Sequence, residues 1–140
     1  MAAFVLDASM TLSWYFADEE SATSLAVEDL TDSNAVVVPG HWFAEVANAL
    51  VMGERRGRAS VADSARFIDR LADLTLEVDE VAPSHVFDRI LPLARAHGLT
   101  VYDTLYLELA ERRGLPLASL DGQLNDAARR VGVELLEYHA

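Results

Sequence analysis

The chain has 140 residues, a length that suits one domain spanning residues 1–140, and 51% of them are apolar, enough to bury a substantial core. It has no cysteine, which excludes disulfides, thiolate metal sites and cysteine nucleophiles and suits a cytoplasmic protein. Its 11 basic residues are all arginine and face 23 acids, for a net charge of −12, which excludes lysine-dependent chemistry and argues against a nonspecific binder of nucleic acid or anionic membrane.

Ala3-Phe4-Val5-Leu6 reads as a short buried parallel strand that ends at Asp7. Ser9 to Phe16 reads as a short helix with Trp14, Tyr15 and Phe16 packed inward. Asp18, Glu19 and Glu20 supply the charge expected at a helix start, and that helix runs to about Leu30 with Leu25 and Leu30 inward. Ala35 to Val38 is a second buried strand, closed by Pro39-Gly40. His41 to about Arg56 is a long helix whose apolar face comprises Phe43, Val46, Ala47, Leu50 and Val51. Gly57 ends it, with arginines in the last turn.

Ser60 and Asp63 form a capping-box pattern for a helix to about Leu74. Leu76 to Asp79 alternates and suits a more exposed strand. Pro83 begins a helix ending at Gly98, in which Pro92 predicts a kink or break. Thr100 starts a helix to Arg113, stopped by Gly114-Leu115-Pro116. Residues 117–120 are a fourth strand, Gly122 to Val131 a last helix and Val133 to Leu136 a last strand. Alternating strands and helices predict an α/β fold: a three-layer α/β/α sandwich with a mainly parallel central sheet of about five strands. The start, Met1-Ala2-Ala3-Phe4, lacks a basic segment before a long apolar stretch, and no run of about 18 apolar residues occurs. Neither a signal peptide nor a membrane span is expected.

Four acids stand where such a fold gathers side chains. Asp7 ends the first strand, and Glu45 lies early in the helix after Pro39. Asp103 opens the helix after Thr100-Val101-Tyr102, and Asp121 follows Leu117-Ala118-Ser119-Leu120. With parallel strands these points lie at one sheet edge, where open α/β folds bind ligands. Each acid also has a plain structural reading: Asp7 and Asp121 as helix caps, Glu45 as a solvated helix acid, Asp103 as half of a capping box. Together they suggest more. Carboxylates about 5 Å apart repel by roughly 3 kcal/mol per pair at an effective dielectric of about 20. Such a cluster takes up protons or binds a cation, and oxygen-only ligands favour magnesium or manganese.

Flanking residues add to the pattern. Ser9 lies two residues past Asp7, where its hydroxyl can orient the carboxylate. Asn48 is a polar residue within Val46-Ala47-Asn48-Ala49-Leu50, near Glu45 on its helix. Arg55, Arg56 and Arg58 form the densest positive stretch, either a phosphate contact beside the site or a solvated helix end. His41 and Glu45 have the i, i+4 spacing of a metal pair but lack the surrounding zinc-protease pattern. His85, His97 and His139 show no sequence partner, and His97 before Gly98 suits a helix C-terminus.

Asp7-Ala8-Ser9, Glu45-Val46-Ala47-Asn48-Ala49-Leu50, Tyr102-Asp103-Thr104-Leu105-Tyr106-Leu107 and Ser119-Leu120-Asp121 resemble the successive motifs of PIN domains. The similarity is greatest to the VapC toxins of bacterial toxin–antitoxin modules and covers essentially the whole chain. Ser119 stands where the family often has threonine, so the hydroxyl is retained. The resemblance implies a Mg2+- or Mn2+-dependent ribonuclease with Asp7, Glu45, Asp103 and Asp121 as catalytic and metal-holding acids. Ser9, Asn48 and Ser119 would orient them from behind. It also implies a homodimer, and a cognate VapB-type antitoxin through which alone the protein would meet DNA. The competing expectation is a catalytically silent PIN-like domain that only binds a protein partner. Asp7 standing alone rules out the acidic pairs of receiver domains and haloacid-dehalogenase phosphatases, and Gly-x-Ser-x-Gly is absent.

Overall fold

The computed structural model describes residues 3–138, so His139 lies outside the described residues. Four strands, β1 (Ala3–Leu6), β2 (Ala35–Pro39), β3 (Leu76–Asp79) and β4 (Leu117–Ala118), form one sheet in the order β3-β2-β1-β4. All pairings are parallel, with Phe4 opposite Val36, Val36 opposite Leu76, and Val5 opposite Leu117. Helices connect the strands, as a parallel ladder requires. β1 and β2 read as unbroken apolar runs because both are covered: Phe4, Val5, Leu6, Val36, Val37 and Val38 are all buried.

The last expected strand shrinks to one parallel bridge, Leu117 with Leu135, flanked by hydrogen bonds from Leu117 N to Glu134 O (2.8 Å) and from Leu136 N to Leu117 O (2.9 Å). The sheet thus has four full strands instead of about five. β4 also stops at Ala118, and Leu120 turns outward at 37% exposure.

The helices are α1 (Ala8–Ser13), α2 (Ala22–Leu30), α3 (Trp42–Arg55), α4 (Val61–Leu71), α5 (Pro83–His85), α6 (Leu91–His97), α7 (Val101–Arg113) and α8 (Gly122–Arg130). α1 ends earlier than expected, and the acidic trio sits around a 3-10 turn, Ala17–Glu19, instead of a helix start. The cap of α2 is Ser21, whose hydroxyl accepts from Ser24 N while Ser24 Oγ accepts from Ser21 N. On α2 it is Val27 that points inward; Leu25 is exposed.

The buried stripe of α3 is Trp42, Val46, Leu50 and Gly53, so the expected face was misplaced at Phe43 and Ala47, which are exposed. Trp42 fixes this rotation because its indole N–H donates to Thr11 Oγ1 (3.1 Å) on α1. Gly53 permits it, since a Cβ there would stand 2.9 Å from Phe16 Cζ. α4 ends at Leu71 instead of Leu74. The segment around Pro92 does not break. A π turn, Val86–Ile90, links α5 to α6, and Leu91 N donates five residues back to Val86 O. The wider turn relieves the ring clash that Pro92 would make four residues back. Gly114, with φ 64°, ends α7 in the left-handed region and lets its N–H return to Ala110 O.

α7 is buried along most of its length and includes an acid, Glu108, at 2% exposure. His85 was expected to stand alone; its Nε2 lies 2.9 Å from Glu108 Oε1. Arg112 Nε donates to the same oxygen (2.6 Å), and its other end reaches Asp79 at the end of β3. Arg113 pairs with Glu77. Arg112 and Arg113 are therefore ties between α7 and β3. Among the described residues no helix is long and apolar enough to cross a membrane.

Candidate active site

From β1 the chain moves one way to β2 and β3, then returns to place β4 on the other side of β1. The switch point is the crevice beyond the carboxyl ends of β1 and β4, where open α/β folds bind ligands. Asp7 leaves the end of β1 there, and Ser119 and Asp121 leave β4.

Asp7 is 3% exposed. Its carboxylate caps α1 by accepting from Met10 N (2.9 Å). It also accepts from Ser9 Oγ (2.8 Å) and from Ser119 Oγ. Each serine oxygen also accepts: Ser9 Oγ from Leu120 N across on the β4 exit (2.9 Å), and Ser119 Oγ from Asp121 N on its own segment (3.0 Å). The two hydroxyls thus stitch the exits of β1 and β4 together around one carboxylate. Burial pushes the Asp7 pKa up to about 6 despite these three donors, and the charge on Asp103 adds to the rise.

Asp121 caps α8 by accepting from Leu124 N (2.9 Å). Asp103 sits in the first turn of α7, where its own N–H donates to Thr100 Oγ1 (3.1 Å). Its pKa is raised, first by burial and then by the charges of Asp121 and Glu45. Asp103 is therefore the electrostatic hub: it senses Asp7, Asp121 and Glu45 together. Among the described residues no arginine reaches any of these four carboxylates. The arginine ion pairs fall on Asp18, Glu19, Glu28, Asp63, Glu77, Asp79, Glu108, Glu111, Asp126 and Glu137.

Glu45, in the first turn of α3, accepts from the Tyr106 hydroxyl (2.6 Å), and His41 Nε2 stands 3.1 Å from the same Oε1. Neither nitrogen of the His41 ring has an aligned hydrogen-bond partner, so His41 lies close to Glu45 without a well-formed hydrogen bond. Burial alone would raise the Glu45 pKa, but the contacts with His41 and Tyr106 outweigh it and the net direction is down. The two carboxylates nearest the core thus diverge: Asp7 resists ionisation and Glu45 is kept ionised.

The other expected residues lie further out. Asn48 is exposed on α3 and makes no hydrogen bond among the described residues. Arg55 and Arg56 are exposed at the far end of α3, about 15 Å along the axis from Glu45. Arg58 is committed elsewhere: its guanidinium pairs with Asp18 (2.7 Å) and Glu19 (3.2 Å) and covers the Phe16 ring at 3.9 Å.

Sequence reasoning passed over Tyr106, Tyr102 and the true role of His41. Their signal was present as two i, i+4 pairs, His41 with Glu45 and Tyr102 with Tyr106. The first pair faces the second across the interface of α3 and α7.

The donor set suits a hard divalent cation: carboxylate oxygens, no sulfur and no neutralising guanidinium. As they stand, no three histidines, aspartates or glutamates among the described residues are gathered to hold a metal ion.

The PIN domain family model matches residues 4–130. Ribonuclease VapC3 of Pyrobaculum aerophilum is 31% identical over 121 residues, which cover 86% of this chain and 90% of that protein. Among solved structures, PAE2754 from the same organism superposes with a TM-score of 0.72 at 23% identity, over 96% of this chain and 90% of that one. VapBC2 from Rickettsia felis, solved bound to a DNA fragment from its promoter, gives 0.64 at 12% identity over 98% and 99%. VapC20 of Mycobacterium tuberculosis, described as a sarcin–ricin loop cleaving toxin, gives 0.62 at 16% identity over 89% and 94%. On the family match and the VapC3 identity, this chain belongs to the PIN domain family.

Proposed function

We propose that this protein is a metal-dependent endoribonuclease, the toxin of a toxin–antitoxin pair, that hydrolyses RNA phosphodiester bonds in the cytoplasm. The observation that supports it best is the set of four carboxylates near the switch point of the sheet that, among the described residues, no arginine pairs with. Kinship with VapC3, a ribonuclease by name, and the fold shared with VapC20 point the same way.

Asp7, Asp103 and Asp121 would hold Mg2+ or Mn2+, with Glu45 completing the set. The ion when bound supplies positive charge for a negatively charged phosphate and acidifies a nearby water. Glu45, ionised and held by Tyr106, accepts the proton of the attacking water. The P–O3′ bond breaks, leaving a 5′-phosphate and a 3′-hydroxyl. Ser9 and Ser119 keep Asp7 in one rotamer, which fixes the geometry before substrate arrives. Asn48 would contact RNA or solvent at the mouth. Arg55 and Arg56, free of carboxylate partners among the described residues, would meet phosphates distant from the cut.

The test is cleavage of structured RNA by protein freed of any antitoxin. Cutting with millimolar Mg2+ or Mn2+ that stops in excess chelator is expected; cutting that persists in chelator defeats the reading. The same ions should raise Tm by mass action. At about 100 times the Kd this is worth roughly 2.7 kcal/mol. Arg58→Ala should leave the cleavage rate unchanged and lower Tm slightly, because Arg58 ties the 3-10 turn to the end of α3. A lost rate would restore it as an RNA contact.

A VapB-type antitoxin partner and a homodimer complete the proposal. The apolar groove between α3 and α4, lined by Phe43, Val46, Leu50 and Ile68, is available to one of them, with Phe43 46% and Ile68 54% exposed. DNA would be met only through the antitoxin.

A further inference from the structure

Tyr102 has a position that packing does not explain. It lies in the first turn of α7, next to Asp103, and is 62% exposed. Its ring contact is with His41, centroid to centroid 5.7 Å at 44°. His41 also contacts the Tyr106 ring, at 5.0 Å, and its Nε2 is 3.1 Å from Glu45 Oε1. The three rings therefore run from the core to the rim of the acidic site and end in a phenol open to solvent.

The backbone beneath Tyr102 is rigid. Thr100 caps the helix through Asp103 N (3.1 Å), and Thr104 Oγ1 donates back to Thr100 O (2.7 Å). Tyrosine has only two side-chain torsions to freeze, so ordering it costs little.

The charge balance says what such a shelf is for. The chain carries −12, and among the described residues only Arg55, Arg56, Arg95 and Arg130 lack a carboxylate partner. Phosphate contacts can then supply only part of the affinity for an RNA strand. Stacking of an unpaired base on an aromatic face needs no positive charge and is worth roughly 1–3 kcal/mol per base.

The geometry points to Tyr102, backed by His41, as a stacking shelf for the unpaired nucleobase next to the scissile phosphate. This rests on the ribonuclease reading above and adds which part of the substrate the protein grips. The shelf accepts any base face, so it selects for an unpaired nucleotide at the cut and leaves the base identity to other contacts.

The test compares wild type, Tyr102→Phe, Tyr102→Leu and Tyr102→Ala on RNAs that carry one abasic nucleotide in turn at each position around the cut. Leu and Ala should raise KM roughly 5- to 100-fold with kcat little changed, while Phe keeps the wild-type value. At one position the abasic RNA should cost wild type the same factor and cost Tyr102→Ala nothing further. That non-additivity is a readout a merely structural role would not produce. The loss in Tyr102→Ala should also be equal at about 50 and about 200 mM salt, unlike a phosphate contact.

Leu behaving like wild type, or losses that multiply at every position, would overturn the shelf while leaving the nuclease standing. Wild-type protein that cuts no RNA with metal would remove both.

Discussion

Asp7→Asn is expected to abolish RNA cleavage, by on the order of 10³-fold or more in kcat (about 4 kcal/mol), and yet to stabilise the protein in chelator at about pH 7.5. Asp7 is 3% exposed and its pKa is pushed up to about 6, chiefly by burial. Above that pH the folded chain must hold an ionised carboxylate in a site that resists it. A shift of about 2 units corresponds to roughly 3 kcal/mol. The sign follows from the raised value: the stabilising contribution is fully present below the ordinary carboxylate pKa and is lost as pH rises through about 6. Metal-free wild type should therefore be more stable near pH 5 than near pH 7.5 as far as Asp7 decides it. Asparagine keeps the cap on Met10 N and nearly the same volume, and the Ser9 and Ser119 hydroxyls can turn to meet its oxygen. The variant should lose the pH dependence and gain about 1–2 kcal/mol near pH 7.5, less than the full penalty because its amide is poorly matched to two donors. Saturating Mg2+ or Mn2+ should reverse the order, since wild type gains binding energy and the variant gains little. Urea unfolding at both pH values, with and without metal, reads all four states. A variant less stable than wild type in chelator would mean that Asp7 is a structural cap whose charge is well tolerated, and the case for a cation site would go with it.

This expected instability at Asp7 differs from the treatment of buried acids elsewhere in the chain. Where structure alone is at stake, the protein neutralises its acids. Glu108, buried in α7, is met by Arg112 and His85, and Asp79 at the edge of β3 by Arg112. Seven of the 11 arginines are spent on ion pairs, and among the described residues none of these pairs reaches a switch-point acid. Glu108 and Asp7 are thus two buried carboxylates with opposite treatment, a contrast that supports the proposed role of Asp7 in binding a cation.

Much of the fold was readable from sequence because buried parallel strands leave unbroken apolar runs, as Phe4-Val5-Leu6 and Val36-Val37-Val38 do. The alternation with helices then placed Asp7, Glu45, Asp103 and Asp121 at one edge. What escaped depends on tertiary contacts. The rotation of α3 by one residue is set by Trp42 reaching Thr11, 31 positions away, and by Phe16 against Gly53. Leu25 looked like core by its chemistry, but Val27 took the inward position. Leu135 makes a bridge and no more because β4 itself has only two residues for a partner to follow. In the site, His41 and Tyr106 were invisible as a unit. Each has an ordinary helical setting, and only the packing of α3 on α7 brings both to one oxygen of Glu45.

That shared oxygen leads to the second large effect. Glu45→Gln should lower kcat roughly 10²- to 10³-fold, the range for loss of a general base. Tyr106→Phe, which removes the 2.6 Å hydrogen bond to Glu45 and nothing of the ring, should lower kcat about tenfold with KM unchanged. Combined, the two should be no worse than Glu45→Gln alone, a coupling of about 1.4 kcal/mol in activation energy. The reason is that Tyr106 acts only through the carboxylate. Burial holds the phenol pKa well above its usual range, so it remains a donor across the whole working pH. Glu45 has a lowered pKa, so its ionised form is favoured above the ordinary value and is lost as pH falls through the depressed one. Removing the Tyr106 hydroxyl takes away one of the contacts that lower it, and the acidic limb of the rate profile should move to higher pH. Tyr106 is 1% exposed, but the atom removed faces Glu45, whose side chain is 32% exposed. The stability cost should thus be small, about 1 kcal/mol. A double variant that is tenfold slower than Glu45→Gln would show Tyr106 acting independently of Glu45, on the phosphate or on the water itself. An unmoved acidic limb would show that the base is another of the four acids, with Asp103, whose pKa is raised by its neighbours, the first to examine.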